Sequence, residues 1–191
     1  MSTGLTSNIV ANNALLLVSG NMPPVQGFAP TFDASAAGAA LQELYYPTVR
    51  AVARQFQYDF TRSTSALSLS GNAAPFPYSF EYLYPLGGVE VWQLLPNTFA
   101  DPNNPLPVDW NVGNNLVSGV QSRVIWTNQA NALVVLNNMP NENAWDDLFQ
   151  EAVERLLASK LSIALFGKPD QAEALLQSGA AFEQQAEMRP D

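Results

Sequence analysis

The chain contains neither cysteine nor histidine among its 191 residues. Their absence excludes disulfide bonds, thiol nucleophiles and imidazole bases, and it removes the commonest zinc ligands. We therefore expect a structural protein that is not an enzyme and holds no metal or cofactor. Charged residues are also scarce, at 13% of the chain against about 25% in an ordinary soluble domain. A surface poor in charge and rich in amide side chains is typical of a subunit that neighbouring proteins cover.

Basic residues and long apolar runs are scarce as well. Eight Lys and Arg residues stand against 17 Asp and Glu, and the resulting net charge of −9 disfavours tight binding to nucleic-acid phosphates. No stretch approaches the roughly 20 apolar residues of a membrane span, and the start of the chain lacks the basic region of a signal peptide. We expect a soluble, unexported chain that does not bind membranes. The length predicts one domain over residues 1–191.

The C-terminal third carries the clearest helical signals. Apolar residues recur every three or four positions from Trp145 to Phe166, with acidic residues in the first half and basic residues in the second. This pattern predicts a helix over 142–166. Gly167 is suited to the left-handed C-terminal position, and Pro169 to the first turn of another helix over 169–188.

The N-terminal segment also predicts two helices. Thr6 or Ser7 can cap an apolar helix over 6–19, and Asp33 or Ser35 can cap a helix over 34–56. Pro47 lies inside the second of these, so we expect it to kink or divide that helix.

Residues 57–138 change to β-branched and aromatic residues broken by Pro, Gly and Asn, which predicts short antiparallel strands. The first is expected at Tyr58–Ser65. Alternation predicts one hairpin over 80–94, turning at 85–88. A short Asn/Gln turn predicts another that joins 120–127 to 131–137, and the continuous apolar run 132–136 in its last strand is typical of a sheet covered on both faces. The Pro- and Asn-rich segment 97–115 is expected to be an exposed contact loop with a short strand at 108–112.

This order of elements predicts an α+β fold. Helices come first, strands follow, and helices end the chain. We expect the terminal helices to form a helical bundle, with a small antiparallel β-sheet or barrel inserted between them.

Few residues suggest chemistry. Glu81, Glu90, Asp101 and Asp109 could in principle supply the carboxylate pair of a glycoside hydrolase, with Tyr82, Trp92 or Trp110 as sugar platforms. Solvated positions on strands and loops account for the same carboxylates. Asp101, Asn103, Asn104 and Asp109 could offer oxygen ligands to Ca²⁺, but their spacing is not that of an EF-hand, and turn formation explains them better.

Interface residues are the more natural candidates in such a chain. Arg50, Arg54 and Arg62 form its one basic cluster with Tyr58, and the pattern favours pairing between subunits or solvation over contact with DNA. The full set of interface candidates is Arg50, Arg54, Asp101, Trp110, Phe182 and Met188.

Five segments together resemble one known family. They are the apolar helix with its Pro-Pro-Val segment (8–25), the helix that runs into an aromatic strand (39–60), the Tyr- and Pro-rich strand (75–95), the segment 122–138, and the closing helix pair around the letters LFGKP (145–188). In order and spacing they are similar to the tail tubular protein A family, the adaptor or gatekeeper of short-tailed bacteriophages. The segment 97–115 departs from the family pattern.

The resemblance implies a specific role. A ring of about a dozen subunits would bind the portal protein, extend the DNA channel and receive the distal tail or nozzle protein. DNA would pass through the lumen without specific binding, and the protein would lie at the head–tail junction of the virion after assembly in the bacterial cytoplasm. The alternative is a tail-associated module that binds or hydrolyses carbohydrate.

Overall fold

The computed structural model describes residues 6–55, 58–96 and 108–187, with side chains up to residue 178. The chain divides into two compact units, one formed by Met1–Phe56 with Pro140–Asp191 and the other by Gln57–Met139. Among the described residues the helices lie in the first unit, and all strands except one short pair lie in the second, so the mixed α+β class is confirmed. One domain over 1–191 remains a prediction, because two compact units can belong to one folding domain or to two.

The first unit is mainly helical. Its helices are α1 (Ser7–Val18), α2 (Ala36–Gln55), α3 (Asp147–Phe166) and α4 (Pro169–Glu187), with a 3₁₀ turn at Glu142–Ala144 and two short paired strands, β1 (Gly27–Phe28) and β2 (Thr31–Phe32). Helix α3 packs against α1, α2 and α4. Its buried residues Phe149, Val153, Leu157 and Leu161 provide the apolar centre of the unit.

Local capping explains where these helices begin and end. Thr6 accepts a hydrogen bond from the Ile9 backbone N–H, and Asp146 accepts one from the Phe149 N–H at 2.6 Å. Gly167 adopts the left-handed conformation that closes α3, with φ of 59°. The expected start of this helix at 142 is wrong, because the 3₁₀ turn precedes the Asp146 cap and is separate from α3.

Pro47 lies inside a continuous α2, so it does not divide this helix, and the alternative of a kink at Pro47 stays a prediction. Proline removes one helical hydrogen bond, but the residues beside it are held firmly. Tyr45, Thr48 and Val49 are buried, and the Thr48 hydroxyl donates to the Leu44 carbonyl at 2.7 Å. Packing against α3 therefore maintains the helix through its proline.

The second unit contains two three-stranded antiparallel sheets. The strands are β3 (Arg62–Ala66), β4 (Phe80–Leu83), β5 (Gly88–Leu95), β6 (Trp110–Val117), β7 (Val120–Thr127) and β8 (Leu133–Asn138). One sheet has the order β3-β8-β5 and the other β4-β7-β6. Buried residues from both sheets, among them Tyr82, Leu94, Ile125 and Val134, form a common core. Within the described ranges, the strands of this unit close no barrel.

Both expected hairpins are wrong, although their strands exist. Strand β4 pairs with β7 and not with β5, while β8 pairs with β3 and β5 and not with β7. The hairpin that does form joins β6 to β7 through Ser118 and Gly119, both at positive φ. The short strand expected at 108–112 exists, but it begins at Trp110 and extends to Val117, so residues 113–115 do not belong to a contact loop. The rest of that expected loop, 97–107, lies outside the described residues. The first strand also begins later than expected, at Arg62.

Candidate interaction surfaces

Helix α2 packs one face against the rest of the first unit and exposes the other face to solvent. Leu41, Tyr45, Val49 and Val52 are buried, which places Arg50 and Arg54 on the opposite, exposed face. The two arginines line a cleft of about 330 Å³ together with Tyr46, Pro47 and Ala51. The expected basic cluster thus exists on α2, but its remaining members Tyr58 and Arg62 belong to the other unit.

The other described cations, Arg54 among them, already have partners within the chain. The contacts of the remaining five are Arg155 with Glu151 (2.6 Å), Arg62 with Asp59 (3.9 Å), Lys160 with the Thr48 hydroxyl (3.0 Å), and Arg123 and Lys168 over the rings of Tyr84 and Phe166. Arg50 forms no ion pair or hydrogen bond with the described residues. Its guanidinium group is therefore available to a partner outside the chain.

The remaining interface candidates are less exposed or lie elsewhere. Trp110 begins β6 and packs, partly buried, against the core of the second unit. Phe182 lies within α4. Asp101 and Met188, with the loop residues Asn103 and Asn104, lie outside the described residues.

Exposed apolar side chains are a feature that the sequence analysis missed. Phe76 is 98% exposed and Leu86 is fully exposed, each in a turn of the second unit. In the first unit, Leu16 of α1 and Ile163 of α3 are more than half exposed, at 57% and 55%. The prolines at 75, 77 and 85 mark these turns in the sequence, but helical periodicity alone places Leu16 and Ile163 with the buried residues.

Glu81 occupies the most polar buried position in the second unit. Its side chain is only 1% exposed, yet its carboxylate accepts four hydrogen bonds. Oε1 accepts from the Ser70 hydroxyl (2.7 Å) and Asn72 Nδ2 (3.0 Å), and Oε2 accepts from Asn115 Nδ2 (2.8 Å) and Trp126 Nε1 (2.7 Å). The expectation that this carboxylate is solvated is therefore wrong, because four uncharged donors replace water.

The electrostatics of Glu81 favour its ionised form. Burial raises the pKa of Glu81, but the hydrogen bonds from Trp126, Asn115, Ser70 and Asn72 outweigh it and leave the pKa below its ordinary value. A general acid of a glycoside hydrolase needs a raised pKa, the opposite shift. The other carboxylates lie elsewhere in this unit. Glu90 is half-buried on β5, which belongs to the other sheet from Glu81, and Asp109 is exposed just before β6.

Two polar contacts link the elements of the first unit. Tyr45 of α2 donates to Glu142 Oε1 at 3.1 Å, and burial raises the pKa of this tyrosine. Asn13 of α1 donates to Glu154 of α3 at 2.8 Å, and Gln150 donates to the same oxygen at 2.7 Å. Burial raises the pKa of Glu154 despite these two donors. Both contacts connect helices, so their effect is structural.

Comparisons with known proteins add no functional assignment. Neither a protein-family model nor a curated protein sequence matches this chain. Among the described residues, no group of three or more Asp and Glu side chains is arranged to hold a metal ion. No helix in the described ranges has the length and apolar character to cross a membrane.

Proposed function

We propose that this chain is a structural subunit of a short-tailed phage virion, a head-to-tail adaptor that binds the portal protein as a ring. In this role the ring extends the DNA channel and receives the distal tail protein. The four helices act as one stiff bundle, because α1, α2 and α4 all pack against α3. The proposal extends the resemblance of five ordered segments to the tail tubular protein A family.

The observation that carries the proposal is the exposure of large apolar side chains on both units. Phe76 and Leu86 project from turns, while Leu16 and Ile163 occupy outward faces of helices. On α1, Ile9 and Leu16 are seven residues apart and so share one exposed face, with exposed Leu17 beside them. An exposed apolar surface that several side chains share favours coverage by another protein. A subunit that meets neighbours, a portal and a distal tail protein has such contacts on several sides.

The carbohydrate module has weaker support. Sugar platforms are exposed aromatic rings, whereas Trp92, Trp110, Trp126 and Trp145 are all partly buried. The lowered pKa of Glu81 is the wrong direction for an acid catalyst. Phe76 is an exposed ring, but none of the expected platform residues Tyr82, Trp92 and Trp110 is exposed.

The decisive experiment mixes the purified protein with the portal protein of the same phage and examines the product by electron microscopy. The wild-type chain is expected to add as a closed ring, without hydrolysing glycans. Absence of binding to the portal at every ionic strength would overturn the proposal. Reproducible glycan hydrolysis that is lost on replacing Glu90 or Asp109 would overturn it as well.

Variants then assign the two ends of the subunit. Removal of residues 183–191 is expected to weaken portal attachment, because the helical unit faces the portal. The double variant Phe76→Ser with Leu86→Ser is expected to bind the portal and fail to recruit the distal tail protein. Ser65→Ala, at an exposed position of β3, is the matched control and should do both. If the truncation instead blocks only the distal tail protein and the double variant loses only portal binding, the subunit has the opposite orientation to the one proposed.

A further inference from the structure

The two sheets of the second unit have four edge strands, namely β3 and β5 in one sheet and β4 and β6 in the other. The outer side of an edge strand carries main-chain N–H and C=O groups that no neighbouring strand binds, so another chain can pair with it. Native proteins usually close such edges with side chains, loops or bulges. The four edges of this unit differ in how far they are closed.

Segment 68–70 closes the outer edge of β4. The Ser70 N–H donates to the Glu81 carbonyl at 3.0 Å, and the Leu83 N–H donates to the Ser68 carbonyl at 2.8 Å. Edge strand β5 has further contacts within the chain at three of its residues, Val89, Glu90 and Gln93. Neither of these edges is therefore free for another strand.

Asparagine side chains occupy much of the outer edge of β6. The Val112 N–H donates to Asn111 Oδ1 and the Leu116 N–H donates to Asn115 Oδ1, both at 2.8 Å. The Leu116 carbonyl in turn accepts from Asn72 Nδ2 at 2.9 Å. A strand that added to this edge would have to displace these side chains.

The outer edge of β3 is open. The Leu67 N–H donates to the Ala132 carbonyl at 3.1 Å, which fixes the alternation of hydrogen bonds between β3 and β8. Arg62, Thr64 and Ala66 therefore direct their main-chain groups outward. Among the described residues, no group binds the outward N–H and C=O of Thr64 or the outward N–H of Ala66.

Strand β3 also lacks the features that protect an edge. It contains no proline, its register with β8 runs without a shift, and its one charged side chain, Arg62, is paired with Asp59 at 3.9 Å. Thr64, Ser65 and Ala66 are small and exposed, so a second strand can approach without a steric clash. The edge is therefore suited to strand addition.

The order of the outward groups makes this edge complementary to itself. The Arg62 N–H already donates to the Tyr58 carbonyl of its own chain at 3.1 Å, so Arg62 offers only its C=O. We propose that β3 pairs antiparallel with β3 of a second copy, about a two-fold axis at Thr64. The Thr64 N–H of each copy then donates to the Thr64 C=O of the other, and each Ala66 N–H donates to the opposite Arg62 C=O.

The side chains agree with this register. Thr64 lies opposite Thr64 of the second copy, which is a favourable cross-strand pair, and Arg62 lies opposite Ala66, so no like charges meet. A two-fold contact closes on itself and cannot continue around a ring. The contact therefore forms a dimer of free subunits, which goes beyond the proposed ring and does not depend on it.

The absence of native cysteine makes the register directly testable. In Thr64→Cys the Cα atoms of the two thiol residues lie about 5.5 Å apart across the two-fold axis, which suits a disulfide. Oxidation in a glutathione buffer is expected to convert most of the protein to dimers on a non-reducing gel.

Ser65→Cys is the matched control, because it is the next exposed residue of the same strand. In this register its two Cα atoms lie about 7–8 Å apart, too far for a disulfide, so the variant should stay monomeric. The proposal is overturned if Thr64→Cys stays monomeric as well, or if Ser65→Cys cross-links as readily as Thr64→Cys.

Charge variants at exposed Ala66 provide a measurement without cross-linking. Because Ala66 faces Arg62 of the second copy, Ala66→Glu should tighten the dimer and Ala66→Lys should weaken it, each by about threefold or more. Net charge alone predicts the reverse, since Glu makes each copy of this acidic chain more negative and Lys makes it less so.

Sedimentation equilibrium at low ionic strength measures the dissociation constant of the dimer. The same two substitutions at Asn114, exposed on β6, are the control and should follow net charge. Ala66 variants that behave like the Asn114 variants would refute the pairing of β3.

These outcomes separate the dimer from the proposed function. A closed ring on the portal, from a chain whose Thr64→Cys variant does not cross-link, would keep the adaptor role and refute the dimer. Cross-linking of Thr64→Cys in a protein that ignores the portal would keep the dimer and refute the adaptor role.

Discussion

Glutamine in place of Glu81 is expected to lower the free energy of unfolding of the second unit by about 1–3 kcal/mol at pH 7. A glutamine oxygen can retain the bonds from Trp126 and Asn115, which leaves its NH₂ group facing Ser70 and Asn72. The Ser70 hydroxyl can rotate to accept, and Asn72 Nδ2 still donates to the Leu116 carbonyl at 2.9 Å. One unfavourable contact therefore remains, between the glutamine NH₂ group and Asn72 Nδ2. The expected loss of about 1–3 kcal/mol is the cost of that single contact.

Alanine at the same position should cost more. It removes both carboxylate oxygens and leaves the buried donors of Trp126 and Asn115 without their acceptor. Two such groups at about 1–3 kcal/mol each give a loss of about 2–6 kcal/mol. The order wild type, Glu81→Gln, Glu81→Ala in decreasing stability is thus part of the prediction.

Urea unfolding followed by tryptophan fluorescence is the assay, since Trp92, Trp110 and Trp126 all belong to the second unit. Asp109→Asn, at an exposed position of the same unit, is the control and should change stability by less than about 0.5 kcal/mol. If Glu81→Gln is as stable as this control at pH 7, the hydrogen-bond reasoning is refuted.

The pH dependence gives an independent check on Glu81. Because its pKa is lowered by folding, the ionised carboxylate stabilises the folded state above its ordinary pKa of 4.5. That contribution is lost as the pH falls through the lower pKa of the folded state. The stability difference between wild type and Glu81→Gln should therefore shrink on acidification. A difference that grows instead would contradict stabilisation by the ionised carboxylate.

Three further predictions concern single side chains. In Gly113→Ala the new methyl group would overlap the Trp126 ring and push it away from Glu81, at a cost of about 1–3 kcal/mol in the same urea assay. Asp146→Ala removes the cap of α3 and should cost about 1 kcal/mol by thermal circular dichroism, while Asp146→Asn should cost less. Burial raises the pKa of Glu154, so the stability of the first unit should rise as the pH falls through that raised pKa, and this contribution should be complete below the ordinary value of 4.5. Circular dichroism at several pH values should show this rise disappear in Glu154→Gln.

The helices could be predicted from sequence because their signals are local. Thr6, Asp146 and Gly167 each act within four residues of their own position, so a short window contains the capping bond that they form. Pro47 shows the limit of this reasoning. Its cost is local, but α2 is held by its packing against α3, where the Lys160 ammonium group donates to the Thr48 hydroxyl from more than a hundred residues further along the chain.

Strand pairing could not be predicted in the same way. Alternation locates β4 and β5, and the apolar run 132–136 locates β8. Pairing neighbours in sequence then predicts two hairpins, whereas the structure pairs β4 with β7 and β5 with β8. Alternation specifies which residues share a face, but it contains no information about which strand lies alongside. The fold class therefore followed from the sequence, whereas the sheet topology did not.

The same limit explains why the surroundings of Glu81 were missed. Glu81 and Glu90 each alternate with apolar neighbours on a strand, so their local patterns are equivalent. The difference comes from Asn115 and Trp126, which lie 34 and 45 residues from Glu81 along the chain. One local signal did point to this place: Gly113 interrupts a strand, and a glycine in a strand often marks the close approach of a neighbouring group. That group is the Trp126 ring, whose position over Gly113 brings its N–H to the buried carboxylate.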